Sequence, residues 1–371
     1  MMKPIISLLL AGVLSFSGCV VTTEENLMNE ENNKINDDSR TINRRLERLR
    51  NENNNLKVGI VQPIAKISIG KKFVIDAIET RDLGVNDPGA KSQWNLYTTG
   101  AYEVWELIDQ KDDIQIAVID TGVDYNHPDL VNRVDKDLGY DFINDDNDPM
   151  DDNWHGTHVA GIIAAEANNE EGIAGVVGTL GATIIPIKAL DAKGQGFSDI
   201  IAEAIVYAVE QGADIINLSL GSPEEDVLIA EAVKYALDHD VFVVAASGND
   251  KQNCDTYTPA GLEGVYTVAA SNLLQKSAYF SNFGTSVDIA APGVKILSTV
   301  PNGSYAAWDG TSMAAPLVSG VVAMMMAENP DLSMEEIKNL IDENAMDLLR
   351  SGEDLQTGNG MIDVKAIFED L

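Results

Sequence analysis

The chain has 371 residues, enough for one large domain with attachments or two ordinary ones, and 45% of them are hydrophobic, 23% charged, with 30 Gly and 12 Pro. That balance excludes a mostly disordered, collagen-like or disulfide-dense chain and fits a globular α/β protein. With 59 acidic against 25 basic residues the formal net charge is −34, which repels polyanions over most of the surface and argues against nucleic acid as a partner. The excess is uneven: residues 92–371 carry 47 acids and 12 bases, residues 1–91 carry 12 and 13.

Residues 1–18 hold one Lys, an apolar run from Ile5 to Phe16 and the small pair Ser17 and Gly18. This is the layout of a secretory signal, too short to span a bilayer. The string Phe16-Ser17-Gly18-Cys19 resembles the lipobox of bacterial lipoprotein signals, with Phe16 where an aliphatic residue is usual. The resemblance implies lipidation at Cys19, a membrane anchor facing the periplasm or the cell exterior, and a route to a released, secreted form. Cys254, the other cysteine, lies in a polar run, so no disulfide is expected.

Residues 19–57 are polar, yet Met28, Ile35, Ile42, Leu49 and Leu56 recur every seven residues, with Leu46 between them. Charged Glu31, Asp38, Arg45 and Glu52 occupy the matching half of the seam. The pattern suits a solvated stalk, helical or disordered, or a weak coiled coil through which the stalk could self-associate. Residues 58–85 read as short strands, at Val58 to Val61, Ala65 to Ile69 and Phe73 to Ile78, in a short prosegment or linker.

From residue 86 to 371, short apolar runs alternate with amphipathic helices, which predicts a three-layer α/β/α sandwich around a mostly parallel sheet. Strands are expected at Ile114 to Ile119, Thr183 to Ile187, Asp214 to Leu220, Val241 to Ala246 and Val265 to Ala269. Ser198 is a candidate cap for the helix carrying Ile201 and Ile205, and Ser333 with Glu336 makes a capping box. In such sheets chemistry gathers at the carboxyl ends of strands.

Asp120 closes the apolar run Ile116-Ala117-Val118-Ile119, where a buried carboxylate needs a partner such as an imidazole N–H. There are four histidines, and His155 and His158 share the string His155-Gly156-Thr157-His158-Val159-Ala160-Gly161. Their three-residue spacing, without a following Glu, does not match a zinc-protease helix. Ser312 opens a long apolar helix reaching toward Met326. A serine there is ordinarily a cap, but it also has backbone N–H groups and a positive dipole end beside it to stabilise an oxyanion.

Together with Asp120-Thr121-Gly122-Val123-Asp124, His127-Pro128-Asp129-Leu130 and Gly310-Thr311-Ser312-Met313-Ala314, these strings resemble the subtilisin-like serine proteases, the subtilase family, from about Asn86 to the carboxyl end. The resemblance implies a serine endopeptidase in which Ser312 attacks the scissile carbonyl, His155 moves the proton and Asp120 orients the imidazole. Ser247-Gly248-Asn249 resembles the family's oxyanion motif and assigns Asn249 as donor. Ser219-Leu220-Gly221 and Gly194-Gln195-Gly196-Phe197 are similar to the two backbone edges between which peptides add as a strand; the residues assigned to binding are Ser219, Leu220, Gly221, Gly194 and Gly196.

The family likeness also implies one or two structural Ca²⁺ sites. One places Asp129 with Ala167, Asn169, Glu171 and Ile173; the other draws Asp141, Asp146, Asp148 and the Met150 carbonyl from an acid-rich loop that would otherwise be solvated. The expected partners are protein or peptide substrates, met by a monomeric catalytic domain. Trp154 stands where the family has a small residue, and Leu317 where it has a His. Two rival readings remain: a catalytically silent surface binding protein on a protease scaffold, and a serine esterase.

Overall fold

A computed structural model describes residues 24–52, 57–60, 66–69, 82–108, 113–348 and 352–371. The signal segment, Cys19 and the strand expected at Phe73 to Ile78 lie outside these residues. Helix α1 (Glu24–Glu52) leads to strands β1 (Lys57–Ile60) and β2 (Lys66–Ile69). Helices α2 (Trp94–Thr99) and α3 (Ala101–Val104) precede strands β3 (Ile114–Asp120) and β4 (Tyr140–Asp141) and helix α4 (His155–Ala164). Strands β5 (Ala182–Lys188) and β6 (Gln195–Phe197) run into helix α5 (Ser198–Glu210), followed by β7 (Ile215–Leu218) and β8 (Leu220–Gly221). Helix α6 (Val227–Leu237) leads to β9 (Phe242–Ala246), β10 (Tyr266–Ser271) and β11 (Ile289–Pro292). Strands β12 (Ile296–Val300) and β13 (Ser304–Trp308) and helices α7 (Thr311–Glu328), α8 (Met334–Glu343) and α9 (Val364–Asp370) complete the described chain.

Seven strands form an all-parallel sheet in the order β11-β10-β9-β7-β3-β5-β4. The side-chain period of two explains the layers. On β3, Ile116 and Val118 join the core cluster holding the apolar residues of α4 and α7, whereas Ala117 and Ile119 join the one holding those of α5 and α6. Burial on both faces is why this strand is apolar throughout, each large aliphatic side chain contributing about 1.5–3 kcal/mol. Helix α7 fills the centre of its layer and is buried along nearly its whole length despite Pro316 within it. The capping box of Ser333 and Glu336 opens α8 as expected. Ser198 is the first residue of α5 and buried, with Phe197 in the capping position, so the cap expected of Ser198 is displaced by one residue.

The heptad pattern of residues 19–57 leaves the apolar positions of the helix without a partner, and the fold supplies one. Ile42 and Leu46, four apart on one face of α1, are buried in the cluster formed by α5 and α6, and Leu49 packs half-buried beside them. Arg45 pairs with Glu231 at 2.7 Å, and Arg50 reaches Asp199 at 2.9 Å and Glu203 at 2.5 Å. Among the described residues there are two smaller sheets besides, in the orders β6-β1-β8 and β12-β13-β2.

Candidate active site

The carboxyl end of β3 and the first turn of α4 meet because Gly156 permits it. A Cβ on Gly156 would lie 2.1 Å from the Gly122 carbonyl oxygen, so only glycine lets the helix approach so closely. His155, first residue of α4, thereby sets its Nδ1 2.8 and 2.9 Å from the two carboxylate oxygens of Asp120, both residues being fully buried. With Nδ1–H donating to Asp120, neutral His155 keeps its lone pair on Nε2. Nε2 is buried and has no hydrogen-bond partner among the described residues, the condition of a base awaiting a proton.

The loop entering α4 is built on Asp151, which the sequence reading missed. This buried carboxylate accepts from the Thr121 hydroxyl at 2.9 Å, the Thr157 hydroxyl at 2.5 Å and the backbone N–H groups of Asn153, Trp154 and Thr157. Burial nonetheless pushes its pKa above the ordinary carboxylate range. Its hold keeps Trp154 at φ +98°, a conformation costing a residue with a side chain about 1–3 kcal/mol, with Trp154 itself 53% exposed next to His155 in the chain. His158 serves packing: it stacks on Trp308 with ring centroids 4.3 Å apart, and its Nε2 lies 3.1 Å from the Ala306 carbonyl.

Trp308 also stacks with His155, at 6.4 Å, and ends β13 four residues before Ser312. Ser312, second residue of α7, donates its hydroxyl to the Ser219 carbonyl at 3.2 Å, and the Ser219 hydroxyl donates back to the Ser312 carbonyl at 3.1 Å. In this arrangement the Asp120–His155 bond is made, while His155 Nε2 has no hydrogen-bond partner among the described residues and the Ser312 hydroxyl is turned to Ser219. Asn249 follows β9. Its Oδ1 accepts from the Thr311 N–H and hydroxyl, both at 3.0 Å. With that oxygen fixed, Nδ2 is directed to the Gly310 side, 3.3 Å from where a Cβ on Gly310 would stand. The structure thus assembles Asp120 with His155, and Asn249 with the Ser312 turn, from four separate stretches of chain.

The two segments assigned to peptide binding flank a gap, and β1 fills it. Val58 is in register with Gly196, Gly59 with both Gln195 and Gly221, and Ile60 with Leu220, antiparallel on each side. The Ile60 N–H donates to the Gly194 carbonyl at 2.9 Å. Ile60 also borders a cavity of about 210 Å³ beside Asn249, walled by Gly221, Ala246, Gly248 and Ala260, with Tyr257 and Asp250 also on its lining.

In the first of the two implied cation loops, Asp129 and Asn169 are in contact. Asp129 accepts from Asn169 Nδ2 at 3.0 Å, from the Ile173 N–H at 2.9 Å and from the Tyr305 hydroxyl, while Asn169 Oδ1 accepts from the Glu171 N–H at 2.8 Å. Asp87, not singled out in the sequence, accepts from the backbone N–H groups of Asn168 and Asn169 in the same loop. Burial raises the pKa of both carboxyls, and the charge of Asp129 raises that of Asp87 further. In the second loop the carboxylates turn to partners of their own. Asp141 accepts from Ile143 and Asn144, Asp146 from the Asp148 N–H, and Asp148 from the Tyr125 hydroxyl at 2.6 Å. Met150 is half-buried nearby in sequence. Among the described residues no three His, Cys, Asp or Glu side chains stand together as a metal-holding group.

The model of the subtilase family matches residues 111–360. The chain is 41% identical over 305 residues to a thermophilic serine proteinase of Bacillus sp. strain AK1, covering 81% of this chain and 74% of that one. It is 39% identical over 249 residues to thermitase of Thermoactinomyces vulgaris, covering 67% and 87%. The crystal structure of fervidolysin from Fervidobacterium pennivorans, a keratinolytic enzyme related to subtilisin, superposes with a TM-score of 0.73 at 32% identity, over 84% of this chain and 51% of that chain, so the present chain spans about half of fervidolysin. Match length, identity and the parallel sheet agree: this chain belongs to the subtilase family of serine endopeptidases.

Proposed function

We propose that the chain cleaves peptide bonds through an acyl-enzyme, with Ser312 as nucleophile, His155 as general base and acid, Asp120 as its orienting partner and Asn249 as oxyanion donor. The Asp120–His155 pair, two hydrogen bonds inside a fully buried setting with Nε2 left as acceptor, is the observation that carries this reading. Nε2 takes the Ser312 proton as Oγ bonds to the scissile carbonyl carbon, and returns it to the leaving amine. Asn249 Nδ2 and the Ser312 N–H at the start of α7 face the oxygen that gains charge. Substrate enters as a strand between Gly194 to Gly196 and Ser219 to Gly221, the place β1 occupies, and the small apolar walls beside Asn249 suit an apolar side chain next to the cleaved bond. On this reading residues 58–85 serve as a short prosegment. Casein cleavage and fluorophosphonate labelling of the full chain, set beside Ser312→Ala, test it; turnover of small esters without casein cleavage would make the protein an esterase, and neither activity would leave a binding protein.

We also propose that Asp129, Asp87, the Asn169 side-chain oxygen and the carbonyls of Ala167, Glu171 and Ile173 hold Ca²⁺. The donors are all oxygen, and two buried carboxyls within reach of each other's charge gain from a hard cation between them. Bound there, the ion would tie residues 82–89 to the loop after α4. EDTA should lower the melting temperature of the wild type by several degrees and leave that of Asp129→Ala unchanged; an unchanged wild-type melt rejects the site. Export and anchoring through a lipid on Cys19 follow from the lipobox-like string alone, and mass spectrometry of the membrane-bound N-terminus checks them: diacylglyceryl on Cys19 is expected, and an unmodified thiol there overturns the anchor.

A further inference from the structure

We propose that Asn282, fully buried in the loop between β10 and β11, is the positioning residue of the oxyanion site: it holds the main chain on both sides of Asn249 and so fixes where Asn249 Nδ2 stands. The inference rests on the peptidase reading and deepens it by one residue.

Asn249 lies in a stretch, residues 247–252, that is neither helix nor strand. A donor carried there keeps its aim only if the surrounding structure holds the backbone beneath it. Asn282 supplies that hold from backbone and side chain alike. Its Nδ2 donates to the Ser247 carbonyl and its N–H to the Gly248 carbonyl, both at 2.9 Å. Its Oδ1 accepts from the Asp250 and Gln252 N–H groups, again both at 2.9 Å. The approach is close because Gly248, at φ +109°, has no Cβ; one there would fall 2.2 Å from Asn282 Nδ2. Asn282 is itself anchored on β10: the Ser281 hydroxyl donates to its carbonyl at 3.2 Å and accepts from the Ala270 N–H at 3.0 Å.

The residue type follows from the task. A side-chain amide accepts at one end and donates at the other, which is what a carbonyl on one side and two N–H groups on the other require. Asp would set an oxygen against the Ser247 carbonyl, and Ala would release the whole stretch. Asn249 would then keep its Oδ1 bonds to Thr311 while the backbone under it shifted. A displacement of about 1 Å in a catalytic group costs about 10²-fold in rate. The loss falls on kcat, because the bond to the substrate oxygen strengthens only as charge develops there.

The test uses the full chain as wild type, Asn282→Ala, Asn282→Asp, Asn249→Ala and each Asn282 variant combined with Asn249→Ala. Peptide hydrolysis, fluorophosphonate labelling, inhibition by a peptide aldehyde, whose serine adduct carries the oxyanion, and thermal melting are measured. Tyr266→Phe is the control for lost stability alone, since its 2.6 Å bond to Asp342 lies at the far end of β10 from the loop. Asn282→Ala should lower kcat about 30- to 100-fold, with KM changing less than about threefold and the aldehyde weakened in step with kcat. Asn282→Asp should lose about tenfold, and its shape carries the same comparison through if Asn282→Ala does not fold. Once Asn249 is Ala, either Asn282 change should cost less than about threefold more, because no donor remains to be placed. Tyr266→Phe should melt lower with kcat unchanged. Equal kcat losses with and without Asn249, or a rise in KM with kcat unchanged, would overturn the positioning role while leaving the peptidase standing. A wild type that neither hydrolyses peptide nor labels would remove the peptidase reading and this inference with it.

Discussion

Ser312→Ala is expected to abolish fluorophosphonate labelling and to lower kcat for peptide hydrolysis by about 10⁶, the size of effect that loss of the nucleophile has in subtilisin itself. The physical reason lies in the unit to which Ser312 belongs. His155 has one proton to accept and one lone pair, on Nε2, with which to accept it, because Asp120 holds the other ring nitrogen. Without the Ser312 oxygen that lone pair has nothing to activate except water, and no acyl-enzyme forms. Stability should change little, since the bond the lost hydroxyl makes to the Ser219 carbonyl, at 3.2 Å, is a neutral one. Active-site labelling, casein hydrolysis and thermal melting of the two proteins side by side check all three points. Undiminished labelling of the variant would place the nucleophile elsewhere.

Asn249→Ala should lower kcat by about 10²–10³ with KM nearly unchanged, again the magnitude such a donor carries in subtilisin. The lost interaction is one that strengthens as the carbonyl oxygen gains charge, so the ground state feels it little. A second, smaller effect follows from the other end of the same side chain. Oδ1 accepts from the Thr311 N–H and hydroxyl, and removing it leaves a backbone donor at the start of α7 unpaired, at a cost of about 1–3 kcal/mol. The variant should therefore melt at lower temperature as well as turn over slowly. Steady-state kinetics with a melting curve separates the two; a rise in KM with kcat unchanged would assign Asn249 to substrate binding.

Much of the site was legible because its chemistry sits in contiguous strings. An acid closing an apolar strand, a histidine before a glycine that must pack tightly, and a serine at the head of an apolar helix each leave a local mark, and Asp120, His155 and Ser312 carry those marks. Asp151 and Asp87 leave none. Their roles depend on which backbone N–H groups the fold brings to them, and in a chain this acidic one more carboxylate has no distinguishing spacing. The same holds for α1. Its apolar stripe shows that something covers Ile42 and Leu46, but that the cover is α5 and α6 follows only from tertiary packing. Ser198 illustrates the limit at short range, where residue type gave the helix start and the backbone moved it by one.

The pairing of β2 with β13, from Tyr305 opposite Ile69 to Trp308 opposite Lys66, gives the N-terminal region a second task. Trimming that region away would strip three strand margins in one stroke, those of β6 and β8 and the outer rim of β13 that leads into Ser312. Unsatisfied main-chain rims invite any extended polypeptide to lie down upon them, whether foodstuff or a neighbouring copy. A body so trimmed would accordingly trade solubility for appetite, and its strong negative charge is what would keep such copies apart.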